Sequence, residues 1–334
     1  MAETALAIDD LSVHYRRAGS SFRREEGVVV RAVDGVSLTV RRGETLGLVG
    51  ESGCGKSTTG RTVVGGVKAT AGSVTFTAAE GTMSRLGSGA QPSDDYRRKL
   101  RMIFQDPNSS LNPRFRIAEI VGEPLRNFGL TRGRREREER VGELLRQVGL
   151  RPEYLKRYPH AFSGGERQRI GIARALATKP ELVVADEAVS ALDVSVRAQI
   201  INLLRDLQEQ RNLTYLFISH DLGVVEHICD RVAVMYVGRL VELAPRRSLF
   251  ATPRHPYTEA LLSAVPSVHK TGRDRIRLSG EVADPAAPPP GCHFHPRCRF
   301  AVERCRVEIP KLRELEAGHS AAHGGLGCWH AFGY

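Results

Sequence analysis

The chain has 334 residues, 41% of them apolar and 26% charged, a balance that suits a folded globular protein with one large core and smaller appended units. No stretch reaches the roughly 18–20 continuous apolar residues of a membrane-spanning helix. The opening MAETALAIDD is acidic, without the basic-then-apolar order of a secretory leader, so a place in the cytoplasm is expected. The net charge of +11 suits nucleic acid, anionic lipid headgroups or an arginine-rich solvated surface, and it selects none of them.

In chain order, LAIDDLSVHY and VVVRAVDGVSLTV alternate as strands around a Gly/Ser/Arg-rich excursion at 16–27. Apolar runs at 45–49, 182–185, 214–219 and 232–236 read as buried parallel strands, and 56–64, 165–178 and 194–211 as helices between them. This alternation predicts an α/β layer with a central parallel sheet. Residues 117–176 have little strand character and read as a helical subdomain. Within them, RGRREREER at 132–140 sets Glu136 four residues before Arg140 and Arg135 four before Glu139, the pattern of an exposed helix laced with ion pairs. Beyond Pro245 the chain becomes rich in Pro, His and Cys, with AAPPPG at 286–291 as a stiff linker.

The stretch GESGCGKST comprises Gly50, Glu51, Ser52, Gly53, Cys54, Gly55, Lys56, Ser57 and Thr58. It matches G-x-x-x-x-G-K-[ST] in the required context, after a strand and before a helix. Glycines allow backbone N–H groups to turn inward around a β-phosphate, and the helix N-terminus adds positive potential. Lys56 would bridge the β- and γ-phosphates of ATP, and Ser57 would ligate Mg²⁺. Cys54 occupies a variable position and reads as small filler.

ELVVADEAVSALD brings Asp186 and Glu187 to the end of a buried strand, the edge of a parallel sheet where ligands bind. Asp186 is expected to hold Mg²⁺ and Glu187 to polarise the attacking water. His220 and Gln105 also end predicted strands. His220 could reach the γ-phosphate, and Gln105 could contact Mg²⁺ and the attacking water.

The loop, Gln105, FSGGERQR at 162–169, Asp186–Glu187, SALD at 190–193 and His220 occur in the order of ABC transporter ATPases. The chain resembles that family along its whole length. The resemblance implies a P-loop NTPase (RecA-like) core with an N-terminal antiparallel β subdomain, an adenine-stacking role for Tyr15, and a nucleotide sandwiched between two ATPases. Ser163, Gly164, Gly165 and Glu166 would then cap the partner's γ-phosphate from a helix N-terminus, with Asp193 near the shared interface. FQDPNSSLNPR, ALDVSVRAQIINLL, HPYTEALLSAVP and GCHFHPRC are similar to the oligopeptide/dipeptide importer ATPases. That likeness implies an ATPase domain at 1–245 (helical subdomain about 106–176), an extension at 246–334, and ATP-driven peptide import. Its partners would be a second ATPase, identical or distinct, two membrane permeases and an extracytoplasmic binding protein, with no nucleic acid. The chain would sit peripherally on the cytoplasmic face of the membrane. Alternatives are an oligosaccharide or nickel-complex cargo, or a soluble ABC ATPase acting on nucleic acid or ribosomes. Ala188 departs from the family's usual proline after the glutamate, a change expected to loosen the turn that carries Glu187.

Of six cysteines, Cys292, Cys298, Cys305 and Cys328 form C-x₅-C-x₆-C-x₂₂-C, and Cys229 reads as a small core residue. Without a CxxC this spacing is no strong zinc signature. Four thiolates on a short segment suit Zn²⁺ or an iron–sulfur cluster, with His293, His295 and His330 as alternative ligands. The resemblance favours a 4Fe–4S cluster over zinc or free thiols, which would make the extension a small metal-binding unit.

Overall fold

A computed structural model describes residues 3–17, 28–264 and 276–322. Strands β1 (Thr4–Arg17) and β2 (Val28–Arg41) are the two alternating segments, paired antiparallel. Val36, Leu38 and Val40 are buried between exposed neighbours, as period-2 patterning requires. Arg16 and Arg17, expected in the excursion, continue β1, and residues 18–27 lie outside the described ones. The fully buried β3 (Thr45–Val49) runs into the phosphate loop and α1 (Lys56–Val63). Next, β4 (Ala71–Thr77) and β5 (Met83–Gly87) complete a four-stranded antiparallel sheet ordered β2-β1-β4-β5.

After α2 (Asp94–Lys99) and β6 (Leu100–Ile103) come α3 (Pro107–Ser110), α4 (Ile117–Asn127), α5 (Arg134–Gln147) and α6 (Gly164–Leu176). No strand occurs between residues 104 and 181, a stretch built of helices, turns and loops. Both expected ion pairs form on α5: Arg140–Glu136 at 2.9 Å and Arg135–Glu139 at 3.1 Å, joined by Arg134–Glu138 at 2.7 Å. The helix buries Val141, Leu144 and Leu145, and it is this burial that seats it, since exposed pairs add only a few tenths of a kcal/mol each.

The remaining elements are β7 (Leu182–Asp186), α7 (Val194–Arg211), β8 (Thr214–Ser219), α8 (Leu222–Ile228), β9 (Arg231–Tyr236), β10 (Arg239–Pro245), α9 (Arg246–Ala251), α10 (Pro256–Ser263), α11 (Glu303–Val307), β11 (Leu312–Glu316) and β12 (His319–Ala322). They build an eight-stranded sheet, β11-β12-β10-β9-β3-β8-β7-β6, whose pairings from β9 to β6 are all parallel. The carboxyl ends of these parallel strands line one crevice, where α/β sheets place their ligands. The sheet continues past residue 245: β12 pairs with β10, setting Ala321 opposite Glu242.

Candidate functional site

Two glycines let the phosphate loop lie against the sheet. Gly50 has φ +152°, and a Cβ there would stand 2.1 Å from the Met235 carbonyl oxygen; at Gly55, φ +106°, it would stand 2.0 Å from that of Ala32. No other residue fits either position. Lys56 is buried and donates to the carbonyl oxygens of Gly50 and Glu51, both at 2.8 Å. Cys54 is buried beside it, and burial raises its thiol pKa against the attraction of Lys56, which suits a filler and not a nucleophile.

The expected carboxylates stand opposite. Ser57 Oγ donates to Asp186 Oδ1 at 2.7 Å, joining the start of α1 to the end of β7. Burial pushes the Asp186 carboxyl above the ordinary range, against the Ser57 hydrogen bond and the charges of Arg61 and Lys56. This hydroxyl–carboxylate pair is the donor set a hard divalent cation takes. Glu187 Oε2 accepts from Gln105 Nε2 at 2.8 Å, and its Oε1 lies 3.2 Å from His220 Nδ1. The ends of β6, β7 and β8 thus bring three expected residues together. With Ala32, Ser52, Gly53, Gly55, Lys56, Ser57 and Thr58 they line a cleft of about 510 Å³.

Glu187 holds φ +46°, left-handed backbone that few non-glycine residues adopt. Its N–H donates to the Ile218 carbonyl at 2.9 Å, and its own carbonyl accepts from the Ser190 N–H and hydroxyl at 3.1 and 3.0 Å. Ala188 is buried behind it. These three bonds pin the turn without a proline at 188.

The other expected residues lie apart from the cleft lining. Ser163 caps α6 and forms a reciprocal box with Glu166, whose carboxylate accepts from the Ser163 N–H and hydroxyl, each at 2.9 Å. The cap starts the helix at Gly164, one residue before the sequence reading. Gly165 packs so closely on Val196 that a Cβ would come within 2.4 Å of it. Asp193 occupies the N-cap position of α7. Tyr15 is half-exposed on β1 opposite Val30, two residues from Ala32 along β2.

In the extension, Cys292, Cys298 and Cys305 are free thiols, and Cys328 and His330 lie outside the described residues. The Cys292 N–H donates to the Cys305 carbonyl at 2.8 Å. Burial pushes the Cys292 thiol up to about 11, helped by the neighbouring Cys305 and Cys298. The three thiols suit a sulfur-ligated site in donor chemistry. Among the described residues, no group of three or more His, Cys, Asp and Glu side chains is arranged to hold a metal ion. Cys229 is buried in the core as expected.

Residues 33–190 match the ABC transporter family, and 241–305 match the oligopeptide/dipeptide transporter C-terminal region. The oligopeptide transport ATP-binding protein AppF of Bacillus subtilis is 51% identical over 96% of this chain and 97% of its own length. The chain belongs to the oligopeptide/dipeptide family of ABC transporter ATPases. The di/tripeptide transport ATP-binding protein DppF of Pseudomonas aeruginosa is 47% identical over 96% of this chain and 98% of its own. Among solved structures, the dimeric ATP-binding cassette MJ0796 bound to ADP and Pi is 28% identical, with a TM-score of 0.60 over 72% of this chain and 99% of that one.

Three contributors to the site escaped the sequence reading. Arg197 joins α7 to the residue after His220, while Tyr257 and Arg297 reach the phosphate loop from the extension. The last two fall inside HPYTEALL and GCHFHPRC, and nothing in their spacing points to a partner some two hundred residues away.

Proposed function

We propose that this ATPase energises import of short peptides from the cytoplasmic face of the membrane. It would work beside a second ATPase, identical or distinct, beneath two permeases fed by an extracytoplasmic binding protein. The observation that carries this reading is the trio Gln105–Glu187–His220 facing Lys56 across one cleft, in a chain about half identical to peptide-transport ATPases over nearly its full length. Glu187 takes the proton of the attacking water, Gln105 and His220 hold its carboxylate in line, and Lys56 compensates phosphate charge. Ser57 and Asp186 would hold Mg²⁺, which neutralises charge on the phosphoryl oxygens when bound. Tyr15 stacks on adenine. Ser163 to Glu166 close on the partner's nucleotide, with Asp193 at the shared face.

A groove of about 720 Å³ between β6 and helices α4 and α6 exposes Phe104 and is lined by Arg101, Glu123, Phe128 and Arg174. It is the seat for a permease helix, and no described helix is long and apolar enough to cross a membrane itself. In the extension, Cys292, Cys298, Cys305 and Cys328 would supply the thiolates for a 4Fe–4S cluster, with zinc as the alternative occupant.

Uptake of labelled di- and oligopeptides tests the function, comparing cells carrying the native chain with cells carrying Glu187→Gln. Loss of peptide uptake supports it. Intact peptide uptake with loss of nickel or oligosaccharide uptake, or purification of the chain with nucleic acid instead of permeases, would overturn it.

A further inference from the structure

The segment beyond residue 245 meets the phosphate loop at Glu51, and each polar group of that residue has a different partner. Its N–H donates to the Tyr257 hydroxyl at 2.8 Å, and its carbonyl accepts from Lys56 Nζ at 2.8 Å. Its carboxylate takes both terminal nitrogens of Arg297, at 2.8 and 3.3 Å, the two-pronged geometry that makes arginine–carboxylate pairs strong and directional. The Arg297 side chain is 9% exposed and Tyr257 is fully buried, so neither contact is a solvated accident of the surface.

Both partners are themselves held. Tyr257 packs against Tyr236 and Phe294, ring centroids 4.7 and 5.4 Å apart. Arg297 sits in a short turn between two cysteines: its N–H donates to the Phe294 carbonyl at 3.0 Å, the His295 N–H to the Cys292 carbonyl at 2.9 Å, and the Cys298 N–H to the His295 carbonyl at 3.2 Å. A parallel route leaves from the same turn. His293 Nδ1 lies 2.9 Å from the Val237 carbonyl, and the adjoining Gly238 N–H donates to the Cys54 carbonyl at 3.0 Å.

We propose that Arg297 and Tyr257 are positioning residues of the ATP site, acting through Glu51. An unpaired carboxylate at the second position of a phosphate loop adds negative charge beside a polyanionic ligand. Arg297 neutralises that charge and draws the carboxylate away from the cleft, which Glu51 does not line. Tyr257 fixes the backbone of the same residue, and its carbonyl in turn sets the Lys56 ammonium. Neither side chain touches phosphate. The effect is therefore on affinity for ATP more than on the chemical step.

The test measures ATP affinity by titration and ATPase kinetics on the full-length chain. Arg297→Ala should weaken ATP binding about tenfold and raise KM in step, with kcat at saturation held within about twofold. Arg297→Lys keeps the charge and loses the fork, so it should fall between. Glu51→Gln/Arg297→Ala should bind ATP better than Arg297→Ala, because the stranded charge goes with its partner. If Arg297→Ala does not fold, Arg297→Lys and Tyr257→Phe carry the test, and each should raise the dissociation constant. Native affinity in these variants, a kcat loss at unchanged KM, or a double variant weaker than Arg297→Ala overturns the proposal.

Discussion

The Arg197 guanidinium lies 2.6 Å from Asp221 Oδ2 and holds the Leu192 carbonyl with its other terminal nitrogen at 3.2 Å. Asp221 is also the N-cap of α8, accepting from the Gly223 and Val224 N–H groups at 3.0 and 3.3 Å. One arginine thus ties the turn before Asp193 to the residue following His220. We predict that Arg197→Ala lowers kcat by about tenfold to a hundredfold, since sub-ångström misplacement is costly at a reacting centre, while ATP affinity stays near native. Steady-state ATPase rates over a range of ATP concentrations check this, and an unchanged kcat would remove Arg197 from the catalytic arrangement.

Glu187→Gln keeps the shape of the side chain and its bond to Gln105 but removes the proposed base. The variant should bind ATP, lose about a hundredfold or more in turnover, and accumulate as an ATP-dependent dimer on gel filtration. Near-normal turnover would place water activation elsewhere.

Asp34 offers a test by pH. Although burial opposes its charge, the Arg239 guanidinium, with Nη2 at 2.6 Å, holds its carboxyl below the usual range. A depressed folded value means a contribution that is present above the unfolded carboxylate pKa of about 3.9 and lost as the pH falls through the folded one. Asp34→Asn should therefore cost about 1–3 kcal/mol at pH 7. That gap should begin to narrow as the pH falls below about 3.9 and close as the pH passes through the lower folded value, as measured by urea unfolding of both proteins.

His319 of β12 and Glu242 of β10 are both buried, with His319 Nε2 2.7 Å from Glu242 Oε1. Glu242 also accepts from the backbone N–H groups of Arg254 and His255 at 2.7 and 3.0 Å. Removing the imidazole takes one of the two partners of Glu242 Oε1, which then keeps only the Arg254 N–H in a fully buried site. His319→Ala should destabilise the chain by about 1–3 kcal/mol in urea unfolding, and hydrogen exchange should rise first in β11 and β12.

For the proposed cluster, anaerobically purified protein should be brown and carry about four irons per chain, and Cys305→Ser should lose both colour and iron. Colourless protein with stoichiometric zinc would sink the assignment.

What could be read from sequence follows the range of the interaction behind each feature. The phosphate loop is local: strand, glycines, lysine and helix are contiguous, so the motif carries its own geometry. Glu187 and Gln105 are 82 residues apart, and the order of family motifs links them where no local pattern does. Arg297 and Glu51 are 246 residues apart with no motif joining them, so only the fold shows the pair. Strands β11 and β12 escaped for a different reason. LRELE and HSAA are short, and the first is mostly charged, so neither carries the apolar alternation that marks a half-buried strand.

Those same charges have a bearing on solubility. Without the tail, β10 would end the large sheet, and its run RLVELAP would offer unpaired backbone groups on an apolar rim. The hairpin moves that rim outward to β11, where Arg313, Glu314 and Glu316 make edge-to-edge stacking unfavourable. Chains cut near residue 310 should therefore self-associate through β10 even where the nucleotide cleft is untouched. By that measure β11 and β12 would act as a guard against aggregation built into the sheet itself.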